Sequence, residues 1–452
     1  MYIISNANDT VINMLSNMYK PAKEYKLSQY CVQSEISDGI LLFNILTREL
    51  ILLSQEEYST LMDLDYLRER FFLVPNSINE KEYADVIKAY LYARNKKPKS
   101  IKSYTIFTTT DCNARCFYCF ELGRSRIPMS IDVAKKLLQF IKDHCGNNRV
   151  KLSWFGGEPL MNPDVIDLIC EGLRSSGIDY VSRMTSNGYL FNDNLIQKAA
   201  GLWNLKRVQI TLDGTETIYN KTKAYIYKDG NPYHIVMDNI SKLLDASISV
   251  SVRLNMDLHN ADDLLLLAQE LSSRFNNSER LHVYAHHIFK SGVPMAQMHS
   301  DEEWDLREKA MSSIEHTLES AGLASVTGIS KKFKTTHCMA DCGSAITVLP
   351  DGNIGLCEHH TENEFIGHLD RKGFDRSVIE SWREKISEIP ECIDCFYFPQ
   401  CIKLKKCTNA SECYPQFRRN TYRAVQHQMR NEYYRWKTRT TICEDSFFED
   451  DE

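Results

Sequence analysis

The octapeptide Cys112-Asn113-Ala114-Arg115-Cys116-Phe117-Tyr118-Cys119 puts three cysteines at C-x-x-x-C-x-x-C spacing, just past the apolar, β-branched run Tyr104–Thr109. Thiolates this close on one loop suit a soft metal. Three are one short of the four that close a structural zinc site or a wholly protein-bound iron–sulfur cluster. An open fourth position is where an outside ligand can sit and chemistry can start; a zinc knuckle is the alternative. Eight more cysteines lie towards the C-terminal end: Cys338, Cys342, Cys357, Cys392, Cys395, Cys401, Cys407 and Cys413. Eight thiolates suffice for two fully ligated four-iron clusters, with a zinc ribbon over Cys392–Cys413 as the competing reading. The other four cysteines (Cys31, Cys145, Cys170, Cys443) are scattered. Cys145 and Cys170 fall on apolar helical patterns, where a free cysteine acts as a small core residue.

The elements around the first loop follow from periodicity. From Tyr104 onward, β-rich runs alternate with helical patterns, which predicts parallel strand–helix units. The strands are expected at Tyr104–Thr109, Val150–Phe155, Tyr180–Thr185, Val208–Leu212, Ser247–Asn255 and Leu281–His287. The helices are expected near Ser130–Cys145, Pro163–Ser176, Asp193–Gly201, Ile235–Asp245 and Ala261–Phe275. Six units cannot close an eight-stranded barrel, so the fold class is α/β with an open, partial (β/α)6 TIM-like barrel. Ligands in such folds bind beyond the C-terminal ends of the strands, and the notable motifs sit there. Gly156-Gly157-Glu158-Pro159 follows the second strand, and its glycine amides could receive one end of a zwitterion. Ser186-Asn187 follows the third strand, Asp213-Gly214 leads a polar loop through Lys223 after the fourth, and Arg253 and Asn255 lie near the end of the fifth. His286-His287 end the sixth. Taken singly, each of these is more often a capped turn, a surface ion pair or a structural histidine; their order along the chain is the signal.

Upstream, residues 1–27 carry little pattern. Strand-like runs at Leu27–Gln33, Ile40–Leu46 and Glu49–Leu53 are followed by a capping box, Ser54-Gln55-Glu56-Glu57, opening a helix through Met62. Further helices are expected at Tyr66–Phe72 and Glu80–Arg94, and a polar stretch up to Ser100 reads as a linker. Downstream, an amphipathic helix is expected over Asp301–Leu323, and Pro350-Asp351-Gly352-Asn353 reads as a hairpin turn. The segment after Tyr414 is basic and aromatic and then acidic, a packing helix with a disordered end. The expected domains are thus an N-terminal winged-helix-like α+β module (1–95), the partial barrel (100–290), a bridge (291–337), a cysteine-rich domain (338–415) and a C-terminal helix and tail (416–452).

At 452 residues, 43% hydrophobic and 25% charged, the chain is long enough for two or three cores. A net charge of −6 argues against nucleic acid as the main partner. Met1–Lys20 has no basic start before an apolar stretch, and no run approaches the about 18 apolar residues of a membrane span. The expectation is a cytoplasmic protein with neither nucleic-acid nor membrane partner, whose clustered cysteines are metal ligands rather than disulfides.

The cysteine loop, the ordered motifs behind it and the cysteine field resemble a radical S-adenosylmethionine enzyme with a C-terminal SPASM domain. That resemblance covers residues from about 100 to 415. It implies a [4Fe-4S] cluster on Cys112, Cys116 and Cys119, with S-adenosylmethionine on the open iron. Tyr118 would lie near the adenine, Gly156, Gly157, Glu158 and Pro159 at the aminoacyl group, and Ser186 and Asn187 at ribose or carboxylate. Arg253 and Asn255 would meet the methionine carboxylate. Two auxiliary [4Fe-4S] clusters are implied, one on Cys338, Cys342, Cys357 and Cys407, the other on Cys392, Cys395, Cys401 and Cys413. The spacing departs from the family pattern: five residues, not three, separate Cys401 from Cys407, and either Cys413 or Cys443 could close the second set.

The N-terminal module is similar in order and length to the recognition elements that capture a leader peptide as an added strand; a purely structural cap is the alternative. The whole implies a maturase of ribosomally made peptides, reduced by a flavodoxin or ferredoxin. It would install a crosslink through a 5′-deoxyadenosyl radical, a Cys thioether first and a carbon–carbon bond second. Formylglycine formation, as in anaerobic sulfatase maturation, and a non-catalytic metal-stabilised peptide-binding protein are the alternatives. Asp213 and Glu358 are only two of many candidate general bases.

Overall fold

The protein is described by a computed structural model, which covers residues 1–61, 65–94, 100–226, 229–275, 278–288, 298–324, 328–330, 332–359, 364–407, 413 and 415–439. Met62, the linker stretch 95–99, Cys443 and the acidic end fall outside these residues.

Nine strands form one open sheet in the order Leu281–His287, Ser249–Met256, Leu205–Leu212, Tyr180–Ser186, Val150–Gly156, Ser103–Thr109, Ala345–Val348, Asn353–Gly355, Gly367–His368. The first six run parallel, each joined to the next in sequence through at least one helix. All six expected strands are present within a few residues. Ser249–Met256 starts two residues later than expected because Ser247 takes a left-handed turn (φ 62°). The helix expected at Ile235 begins earlier, at Pro232, where Asn231 accepts from the Tyr233 N–H and proline supplies a ready-made first turn. Ser130 and Asn192 cap Ile131–His144 and Asp193–Ala200 in the same way.

The strands alternate as their sequence predicts. Val250, Val252 and Leu254 are buried on the helix-covered side, in one cluster with Leu264, Leu267 and Leu271 of Ala261–Arg274. Full burial of each such side chain contributes about 1.5–3 kcal/mol. Ser251 and Arg253 alternate with them and belong to the opposite face. That face is concave, since Tyr284 Oη donates to Gln209 Oε1 (2.9 Å) across the intervening strand. The seventh strand, Ala345–Val348, was not expected from sequence. It pairs in parallel with Ser103–Thr109 and then turns at Gly352 into Asn353–Gly355, so the cysteine-rich region is stitched directly onto the barrel sheet.

A second sheet has the order Tyr2–Ser5, Glu49–Leu53, Gly39–Asn44, Cys31–Ile36. Its first strand and the helix Asp9–Met18, capped by Asn8, lie in the stretch without sequence pattern. The expected strand Leu27–Gln33 is broken in two. Glu80 is buried and accepts from Ser28 Oγ and the Gln29 N–H, turning the chain between Tyr25–Leu27 and Cys31–Ile36. The helix expected at Tyr66–Phe72 stops at Glu69, and Leu73–Pro75 then pairs with Tyr25–Leu27. The Ser54 capping box is formed.

This module is not a detached bead. It shares one apolar cluster with Phe398 and with Val425, Met429 and Tyr433 of the C-terminal helix Pro415–Arg439. Lys88 Nζ donates to the carbonyls of Phe398 (3.0 Å) and Cys401 (3.3 Å). The same C-terminal helix reaches the edge strand: the Gln33 N–H donates to Tyr422 Oη (3.3 Å), and Gln426 Nε2 donates to the Gln33 carbonyl (2.7 Å). No described helix is long and apolar enough to cross a membrane.

Candidate active site

The cysteine loop leaves the C-terminal end of Ser103–Thr109 and is held from two sides. On one side is the glycine pair. The Gly157 N–H donates to the Thr109 carbonyl (3.0 Å) and the Glu158 N–H to the Asp111 carbonyl (2.9 Å). A Cβ on Gly157 would stand 2.1 Å from the Asp111 carbonyl oxygen, so only glycine permits this approach. The expectation that these glycine amides receive a zwitterion is therefore corrected for Gly157: its N–H is consumed in seating the cysteine loop.

Glu158 is likewise turned inward. Its fully buried carboxylate accepts from the Leu160 N–H (3.1 Å), Ser186 Oγ (2.9 Å) and the Asn187 N–H (2.8 Å). Burial pushes its pKa up to about 7 against those three donors. Glu158, Ser186 and the buried Pro159 thus brace the loops after the second and third strands rather than facing a ligand. Glu158→Ala strands three donors in the interior and is expected to cost about 2–4 kcal/mol, read as a lower urea midpoint. A midpoint within experimental error of the parent would contradict this bracing role. Asn187 does reach the loop: its Nδ2 donates to Asn113 Oδ1 (2.7 Å) and lies 3.7 Å from Cys112 Sγ.

On the other side of the loop is a buried polar cluster. Tyr118 Oη donates to the Asp213 carboxylate (2.9 Å). Lys223 Nζ donates to Tyr118 Oη (2.9 Å) and Thr211 Oγ1 (2.6 Å) and stands 3.0 Å from Asp213 Oδ2. Asn255 Nδ2 also donates to Asp213 (3.0 Å). Two of the sequence expectations change here. Asn255 is spent on Asp213, and Asp213, with no exposed surface and its oxygens occupied, is no general base. Lys223, read from sequence as the end of a polar loop, ends a helix, Glu216–Lys223, and is buried.

The thiols fit an iron–sulfur cluster. Burial, the Glu158 charge and the neighbouring Cys116 and Cys119 push Cys112 up to about 12, and Cys119 is raised mainly by burial. Neutral buried thiols crowded in this way become ligands once a metal takes their protons.

The distal cysteines gather into two sets. Cys338 feels Cys342 and Cys407, and Cys357 feels Cys338 and Cys407. Cys395 feels Cys392 and Cys413, and Cys401 feels Cys395 and Cys413. The first set adjoins the barrel mouth, where Phe120 lies edge-on to His359 at 4.6 Å and stacks on Phe155 at 6.0 Å. On the concave face, Arg253 Nη2 bonds His286 Nδ1 (3.0 Å) while its Nε is buried without a partner. Burial and the Arg253 charge pull His286 down to about 4, so it is neutral at ordinary pH. Arg183 bonds Ser153 and faces Glu358, whose pKa burial raises.

Residues 106–271 match the family model of the Radical SAM superfamily. They form a radical S-adenosylmethionine domain, with S-adenosylmethionine and a [4Fe-4S] cluster as the cofactors of that domain. GTP 3',8-cyclase of Clostridium perfringens (strain SM101 / Type A) is 26% identical over 314 residues, spanning 66% of this chain and 93% of the cyclase. The probable GTP 3',8-cyclase of Methanocaldococcus jannaschii is 32% identical over 163 residues, 34% of this chain and 50% of that protein. Among solved structures, native anSMEcpe with bound AdoMet and Cp18Cys peptide aligns with a TM-score of 0.54 at 13% identity, over 76% of this chain and 100% of that one. Streptococcus suis SuiB bound to S-adenosylmethionine aligns with a TM-score of 0.51 at 12% identity, over 84% and 95%. At such identities the structural likeness is one of fold.

Proposed function

We propose that the protein is a peptide maturase of the radical S-adenosylmethionine/SPASM kind, crosslinking a ribosomally made precursor peptide through a Cys thioether. The observation that supports this reading is the placement of the distal cysteine stretches, one at the barrel mouth, where His359 beside Cys357 packs on Phe120, and another under the N-terminal module, where Lys88 Nζ donates to the Cys401 carbonyl. Cys338, Cys342, Cys357 and Cys407 would hold one auxiliary [4Fe-4S] cluster, and Cys392, Cys395, Cys401 and Cys413 the second. Cys112, Cys116 and Cys119 would hold the radical-generating cluster.

When bound, that cluster and S-adenosylmethionine supply a 5′-deoxyadenosyl radical, which takes an unactivated hydrogen from the substrate. The chain's own residues orient and enclose. Asn187 lies beside the loop and Tyr118 within it, Arg253 offers a guanidinium for the methionine carboxylate, and Phe120, Phe155 and His359 wall the mouth against water. Buried Glu358, whose pKa is raised by burial, is the group near Arg183 suited to taking a proton.

The fold neighbour anSMEcpe has been seen with a peptide bound, which is consistent with a peptide here. A leader added along Cys31–Ile36 would exchange its backbone for the Tyr422 and Gln426 side chains that now bond Gln33. A second reading, nucleotide chemistry like that of the GTP 3',8-cyclases, is favoured by the sequence identity and by two concave-face cations, Arg183 and Arg253, without a carboxylate at ion-pair distance among the described residues. The two separate in one assay of 5′-deoxyadenosine release by the reduced, reconstituted enzyme. The peptide encoded beside the gene should raise release at least tenfold over the uncoupled rate, whereas GTP should not. Stimulation by GTP alone would decide for the second reading.

A further inference from the structure

Lys223 and Asp213 are the most deeply buried ion pair among the described residues, with side chains 2% and 1% exposed. A buried pair is poor evidence for stability, since desolvation offsets most of the attraction. Its placement therefore asks for another explanation. Lys223 lies at the C-terminal end of a two-turn helix, followed by Ala224 in the left-handed region (φ 44°), an uncommon conformation for a residue with a side chain. The turn brings the Lys223 carbonyl within 2.8 Å of the Arg115 N–H, and the Ile226 N–H within 2.9 Å of the Asn113 carbonyl. Between those backbone ties, the Lys223 ammonium and the Asp213 carboxylate grip the hydroxyl of Tyr118, which sits between Cys116 and Cys119. Cys116 lies within electrostatic reach of Lys223, of Tyr118 and of the neighbouring Tyr219.

We propose that Lys223 and Asp213 are positioning residues for the radical site, a charged latch that holds the cysteine loop through Tyr118 and whose opposite charges set the reduction potential of the cluster bound there. The proposal rests on the reading of Cys112, Cys116 and Cys119 as that cluster's ligands. In an interior of low effective dielectric, a fixed charge acts on a neighbouring redox group with little screening. The ammonium favours the added electron and the carboxylate opposes it. The pair thus lets the chain adjust the potential in either direction with the fold unchanged, which a neutral anchor could not do.

The test uses the full chain, reconstituted with iron and sulfide, as Lys223→Met, Lys223→Arg, Asp213→Asn and Tyr118→Phe. Iron content is measured first, then the midpoint potential of that part of the reduced electron-paramagnetic-resonance signal which S-adenosylmethionine alters. Lys223→Met is expected to move the potential down and Asp213→Asn to move it up, at unchanged iron content, while Lys223→Arg stays near the parent. Opposite signs are the mark of an electrostatic role, because mere loosening moves both variants the same way. Shifts of one sign, or none, in variants that keep the responsive signal overturn the proposal. Should a charge variant fail to load iron, Tyr118→Phe decides, since it removes one hydroxyl and no charge. Hydrogen exchange at residues 112–119 must then speed up, and unchanged exchange contradicts the latch. A responsive signal that survives alanine at all three loop cysteines would instead overturn the reading of the loop.

Discussion

Replacing Cys112, Cys116 and Cys119 together with alanine is expected to abolish reductive cleavage of S-adenosylmethionine and to lower the iron content by about four atoms per chain, as loss of one four-iron cluster requires. The argument is local. The three thiols lie on one loop, and the Gly157 and Glu158 amides and the Lys223 carbonyl seat that loop by backbone hydrogen bonds. Those bonds do not involve the thiols, so the variant keeps its sheet and its distal cysteines. Iron analysis together with chromatographic assay of 5′-deoxyadenosine checks both halves. Cleavage at the parent rate would mean that another part of the chain carries the radical chemistry. An iron content falling to zero would mean that the distal sets do not load independently.

Gly157→Ala is expected to be nearly as damaging although it touches no cysteine. The added methyl would lie 2.1 Å from the Asp111 carbonyl oxygen and 2.8 Å from that of Thr110, and both obstacles are backbone. Relief requires the cysteine loop and the strand end Val150–Gly156 to move apart, breaking the Gly157–Thr109 and Glu158–Asp111 hydrogen bonds. Overpacking of this kind plus lost buried hydrogen bonds costs about 3–5 kcal/mol. The expected result is a protein with native-like circular dichroism, cofactor cleavage reduced at least a hundredfold and iron lost from the first site. Gly177→Ala is the control: its Cβ meets nothing within 4 Å, so only its positive φ of 68° is penalised, at about 1 kcal/mol. Equal effects in the two variants would show that the close approach to the Asp111 carbonyl is not what makes Gly157 necessary.

These two variants also mark where sequence reading succeeds. The cysteine loop was legible because its ligands lie within eight residues, and the parallel sheet because each strand carries its own alternation. Val250, Val252 and Leu254 announce a buried face without reference to any distant residue. The ordered loops after successive strands could be found for the same reason. What each loop residue does there could not. Gly157 and Glu158 read as ligand groups, yet their N–H groups are consumed by carbonyls some fifty residues away in sequence. Lys223 read only as the end of a polar loop; its burial depends on Asp213, Thr211 and Tyr118 meeting around it. The docking of residues 1–94 on the second cysteine set left no local trace either, since Lys88 contacts Phe398 and Cys401 more than three hundred positions on. The same holds for the edge of Cys31–Ile36. Nothing in that strand says that Tyr422 and Gln426 will satisfy its backbone.

The mass of the peptide encoded beside the gene, after incubation with reduced enzyme and S-adenosylmethionine, tests the proposed function most directly. Loss of one pair of hydrogens per crosslink is predicted, with fragmentation stopping between the joined residues and the loss disappearing when residues 1–94 are deleted. An unchanged peptide, with GTP converted under the same conditions, would contradict the account and assign the chain to the chemistry of its cyclase relatives.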